Sequence, residues 1–97
     1  MRLKKEDIKT IKDAAKKYFG KDAVAYLFGS RTDNRKKGGD IDIYVETILL
    51  DDIFERKIKM LVFLKKILGD QRIDLVVNNF QKEKTIFKVA KQEGVLL

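Results

Sequence analysis

The sequence has no cysteine, no histidine, no proline and no tryptophan in its 97 residues. Without cysteine there is neither a disulfide framework nor a thiolate zinc site. Without histidine, Ser-His and Cys-His nucleophilic catalysis and a histidine-based metalloprotease site are excluded. Any acid–base step falls to carboxylates, lysines, tyrosines, water or the substrate. Long apolar runs are also missing: no stretch approaches the ~20 residues that a membrane-spanning helix needs. The opening segment, Met1 to Asp7, lacks the apolar core of a signal peptide, so a cytoplasmic location is expected.

What is present suits one small globular domain over residues 1–97, with 44% hydrophobic and 38% charged residues. The formal net charge is +7. That excess fits either a lysine-rich solvated surface or attraction to nucleic acid, nucleotides or an acidic partner. The basic residues are spread along the chain, which weighs against a dedicated nucleic-acid-binding domain.

The stretch from Leu27 to Glu46 organises the rest. Residues 23–28 form a continuous apolar run of strand length, the pattern of a strand buried on both faces. Gly29-Ser30 ends it. Ser30 is a good helix N-cap, and Asp33 three residues on partly mimics a capping box, so a short helical turn is expected to start at Ser30. Its free N–H groups would attract an anion, and Gly29 would allow close approach of a phosphate. A basic loop over residues 33–39 follows, with Gly38-Gly39 at its end. Strict alternation then begins: Asp40, Asp42, Tyr44 and Glu46 on one side, Ile41, Ile43 and Val45 on the other. Asp40 and Asp42 therefore share a face. Carboxylates this close repel unless a cation compensates, which points to a divalent-metal site beside a phosphate site. The β-branched residues between them suit a strand better than a calcium-binding loop.

The remaining elements frame that stretch. Residues 5–19 read as an amphipathic helix with Ile8, Ile11, Ala15 and Tyr18 on one stripe, stopped by Gly20. Residues 51–68 read as a second helix with Phe54, Ile58, Leu61, Leu64 and Leu68 facing inward. Val62 and Phe63 widen that stripe, as in a helix that is buried on two sides or that meets a partner. Residues 72–77 form a strand containing Asp74. A lone strand aspartate can be a salt-bridge partner, but beside an Asp-x-Asp strand it reads as a third metal-site carboxylate. Residues 82–93 form a third helix, with Ile86, Phe87, Val89 and Ala90 facing in. Gly94 ends it, and Val95-Leu96-Leu97 can add a short edge strand.

Assembled in this order, an apolar strand with Gly29-Ser30, a variable loop, Asp40-Ile41-Asp42 and a later strand with Asp74 resemble the nucleotidyltransferase superfamily that includes DNA polymerase β. The Gly-Ser-Arg form and short length are most similar to the minimal nucleotidyltransferases, which in prokaryotes are commonly paired with a small helical HEPN-type protein. The resemblance implies an α/β fold, a small mixed sheet flanked by helices. It also implies metal-dependent transfer of a nucleoside monophosphate, AMP from ATP, to a hydroxyl acceptor. Two Mg²⁺ ions roughly 3.5–4 Å apart would act there. Asp40 and Asp42 would bridge both ions, and Asp74 would hold the catalytic one and assist loss of the acceptor proton. Gly29 and Ser30 would bind the β and γ phosphates. Arg31 would either contact phosphate or brace the acidic strands.

No acceptor-binding domain of the kind found in larger members is present in these residues, so another subunit is expected to supply the acceptor. The preferred expectation is an antitoxin that modifies a HEPN toxin. The alternatives are transfer to a small molecule held by a helical subunit, or a non-catalytic module that neutralises its partner by contact.

Overall fold

The computed structural model describes residues 3–28, 41–69 and 71–97. Its elements in chain order are α1 (Lys5–Phe19), β1 (Val24–Phe28), β2 (Ile41–Glu46), α2 (Ile53–Leu68), β3 (Ile73–Asn78), α3 (Thr85–Glu93) and β4 (Val95–Leu96). The strands form one mixed sheet in the order β3-β2-β1-β4. β1 runs antiparallel to β2 and β4, and β2 runs parallel to β3. This is the α/β architecture that the sequence implied. The helical turn expected at Ser30 and the basic loop over 33–39 lie outside the described residues.

The helix ends follow local chemistry. Asp7 accepts a hydrogen bond from the Lys4 backbone N–H at 3.0 Å, and Glu6 and Asp7 stand in the first turn of α1. Gly20 and Gly69 end α1 and α2 at φ +100° and +87°, conformations that cost glycine nothing. The last carbonyls of α1 are capped from elsewhere in the chain. The Thr47 hydroxyl donates to the Phe19 carbonyl at 2.7 Å, and the Arg56 guanidinium donates to the Tyr18 carbonyl at 3.0 Å. These bonds satisfy groups that a helix end leaves open, and they tie the exits of β2 and α1 together. α2 begins two residues later than its sequence pattern suggested. Asp52 there takes a left-handed conformation with φ 56° and makes no side-chain cap.

α1 and α2 cover one face of the sheet. Ile11, Ala14, Ala15 and Phe19 of α1 and Met60 and Leu64 of α2 pack on Ala25, Leu27, Ile41, Ile43, Val45, Ile73 and Leu75. Of the expected α2 stripe, Leu64 is fully buried and Leu61 and Leu68 pack against the core, whereas Phe54 is 74% exposed and Ile58 is exposed too; Met60 takes the inward position instead, and Val62 is also exposed. The helix carries two apolar stripes, and the one containing Met60 and Leu64 fits between α1 and the sheet.

α3 covers the opposite face. Right-handed crossovers that leave β2 and β3 in opposite directions across the sheet are expected to place their helices on opposite faces, and α2 and α3 are so placed. Only Phe87 and Ala90 of α3 pack against that face, whereas Ile86 and Val89, expected to face in, are exposed. Among the described residues α3 packs there without a second helix, and only its sheet-facing stripe is covered by them. Gly94 makes the tight passage into β4, because a Cβ there would collide with the Ala90 carbonyl oxygen. No helix among the described residues is long and apolar enough to cross a membrane.

Candidate active site

The alternation of β2 places Asp42, Tyr44 and Glu46 on the α3 face. The parallel register then sets Asp42 opposite Asp74, Tyr44 opposite Val76 and Glu46 opposite Asn78. Neighbouring strands lie about 4.8 Å apart, so Asp42 and Asp74 are side by side on one face. The Ile41 N–H donates to the Arg72 carbonyl at 2.8 Å and fixes this register at the strand entrance. On the other side of β2, Phe28 pairs with Asp42. β1 therefore ends, and β2 begins, beside the carboxylate pair.

The connection between these ends carries Gly29, Ser30, Arg31 and Asp40, all of which lie outside the described residues. Of the six expected site residues, Asp42 and Asp74 are brought together and the other four have no described position.

Asp74 is not forced into an apolar interior. Its side chain is 48% exposed, with the Arg72 Nε 3.7 Å from its Oδ1. An exposed pair at that distance contributes about 0–1 kcal/mol. Burial therefore places no demand for a cation on Asp74; its place opposite Asp42 in the register is what offers two carboxylates to one cation. Carboxylate oxygens are hard donors and suit Mg²⁺, and the chain offers no thiolate or imidazole that would favour a softer metal. Among the described residues there is no group of three or more acidic, histidine or cysteine side chains that could hold a metal. Asp42 and Asp74 alone fit as part of such a set.

Farther along the same face, a polar network lies under α3. The Tyr44 hydroxyl donates to Glu46 Oε2 at 2.9 Å and accepts from Asn78 Nδ2 at 3.0 Å. Asn78 Oδ1 accepts the Phe80 N–H at 2.8 Å, and Lys91 Nζ stands 3.2 Å from Glu46 Oε2. Burial pushes the Tyr44 phenol up to about 12; donation from Asn78 opposes this shift and the neighbouring Glu46 adds to it. The hydrogen bond with Glu46 holds the Lys91 ammonium above its ordinary 10.5. The Tyr44 ring packs between Tyr26 and Phe87, with centroids at 5.6 and 6.0 Å.

Sequence reasoning missed this network as a unit. The alternation did put Tyr44 and Glu46 on the aspartate side, but no local signal showed that α3 would cover them.

No match was found among curated proteins. A family model described as "Polymerase beta, Nucleotidyltransferase" matches residues 9–97. That match takes in every strand and helix except the first turn of α1, so the chain belongs to the polymerase β nucleotidyltransferase family.

Proposed function

We propose that this chain acts as a single nucleotidyltransferase domain over residues 1–97 that transfers AMP from ATP to a hydroxyl on a partner protein in the cytoplasm. The observation that carries this reading is the in-register pair Asp42–Asp74, set where β1 ends and β2 begins. Asp42, Asp74 and the adjacent Asp40 would hold Mg²⁺, two ions in the full site. Bound there, the metal would offset the charge that develops on the phosphate oxygens.

The chain's own groups do the rest. Gly29 and Ser30 bind the β and γ phosphates, and Arg31 assists either on phosphate or between the acidic strands. The Asp74 carboxylate accepts the proton of the acceptor hydroxyl as its oxygen attacks the α-phosphorus. A new oxygen–phosphorus bond forms, the bond between the α-phosphorus and the bridging oxygen breaks, and pyrophosphate leaves. No covalent enzyme intermediate is needed.

A protein acceptor is supported by the outward stripe of α2, where Phe54, Ile58 and Val62 lie exposed at i, i+4 spacing. A helical HEPN-type partner, with this chain as its antitoxin, is the acceptor we propose. The test incubates the chain with labelled ATP, Mg²⁺ and the HEPN-type candidate, with Asp42→Asn as control. Label on the candidate that depends on Asp42 is expected. Full transfer by Asp42→Asn would overturn the site assignment, and transfer to a small molecule alone would overturn the protein acceptor.

A further inference from the structure

A second feature stands on the α3 face, away from the carboxylate pair. Beyond Asp42, four residues along β2 and about 13 Å at the usual strand rise, the sheet ends in an open cavity of about 280 Å³ beneath α3. Its floor is the buried Tyr44–Glu46–Asn78 network. Its walls carry two aromatic rings, Phe87 and Phe80. Lys82, Lys84, Lys88 and Lys91 line it, and lysines outnumber glutamates there.

Phe80 is the unusual element. It is 60% exposed, and its backbone holds φ +64°, a conformation that non-glycine residues rarely adopt. The bond from its N–H to Asn78 Oδ1 fixes it in place at 2.8 Å. An exposed apolar ring on a strained backbone is unfavourable on both counts, and such outliers cluster at ligand contacts. The Lys84 ammonium lies 5.8 Å from the centre of the Phe87 ring, so positive charge and aromatic surface meet in this cavity.

We infer that this cavity binds one nucleotide unit, the base against Phe80 and Phe87 and the phosphate among Lys82, Lys84 and Lys88. Aromatic rings beside lysines form the usual platform for a stacked base and its phosphate. A polar floor suits a heterocycle with hydrogen-bonding edges, which a plain aromatic acid lacks. The volume admits one such unit and no folded partner. Glu46 is held by Lys91 and Tyr44, so its charge opposes the phosphate less than an unpaired carboxylate would. The inference is independent of the metal site, since it uses neither Asp42 nor Asp74.

The test titrates AMP into the ¹⁵N-labelled full chain in EDTA at low salt. The expected result is saturable shifts of the Phe80 amide and the Asn78 side-chain amide, with those of Asp42 and Asp74 unmoved. Phe80→Gly removes the ring and suits the positive φ, so this variant keeps its fold. It should weaken AMP binding about tenfold, as expected for loss of one stacking partner. A short oligoadenylate binding more tightly than AMP would assign the site to a single strand, and equal affinity would assign it to the free nucleotide; both support a nucleotide unit. Inorganic phosphate binding as tightly as AMP would overturn the inference, as would undiminished AMP binding by Phe80→Gly or the absence of shifts at Phe80 and Asn78.

Discussion

Replacing Tyr44 by Phe isolates one oxygen atom at the centre of the α3 face. The ring is 1% exposed and stays wedged between Tyr26 and Phe87, so packing is nearly conserved. What is lost is the donor to Glu46 and the acceptor for Asn78. Glu46 keeps Lys91, but the buried Asn78 amide loses its acceptor. Leaving a buried polar group unsatisfied costs about 1–3 kcal/mol. In a domain of this size each kcal/mol lowers Tm by about 4–8 °C, so a loss of 2 kcal/mol would lower it by about 8–16 °C. Urea unfolding followed by circular dichroism at pH 7 measures the difference directly. High pH adds a second readout. Below pH 10 the phenol is neutral in both folded and unfolded chains. As pH rises from 10 towards about 12, only the unfolded chain ionises Tyr44, so the wild type loses stability that the Phe variant, lacking the phenol, does not. The gap between the two proteins should therefore narrow across that window. A difference below about 0.5 kcal/mol at pH 7, or a gap that stays constant from pH 10 to 12, would refute the reasoning.

Other substitutions probe the site and the core. Asp42→Asn should abolish transfer while leaving the metal-free fold intact, since the side chain is replaced by one of equal shape at the same register position; circular dichroism of the variant beside the transfer assay checks both. Asp74→Asn should lower kcat more than nucleotide affinity, and single-turnover rates set against equilibrium ATP binding separate the two. Met60→Ala removes a fully buried side chain from beneath α1 and should cost about 2–5 kcal/mol, whereas Phe54→Ala on the exposed stripe of α2 should change stability by less than about 0.5 kcal/mol; urea titrations compare them.

Each secondary-structure element was legible because its signal is local. The apolar spacing and Gly20 place α1 at the same bounds in sequence and structure, and the alternation from Ile41 to Glu46 defines β2 with Asp42 on the face opposite the isoleucines. Side-chain period and glycine stops act within a few residues, so the chain itself encodes them. The family was legible for a related reason: the spacing of Gly29-Ser30, Asp40-x-Asp42 and Asp74 is a linear pattern.

Phase and partnership were not legible. α2 carries two apolar stripes, and although Leu61, Leu64 and Leu68 face the core as their spacing suggests, nothing local ranks Met60 above Phe54 and Ile58; contact with α1 and the sheet selects between them. The inward face of α3 was overestimated because burial depends on what lies alongside a helix as well as on its own residues. Local patterning specifies the elements, the side of β2 that carries Asp42 and the linear motif. Only the tertiary structure set Asp42 beside Asp74, and only it enclosed Tyr44, Glu46 and Asn78 under α3. Those pairings join residues about 30 or more apart in the chain, and their energy exists only once the strands are in register.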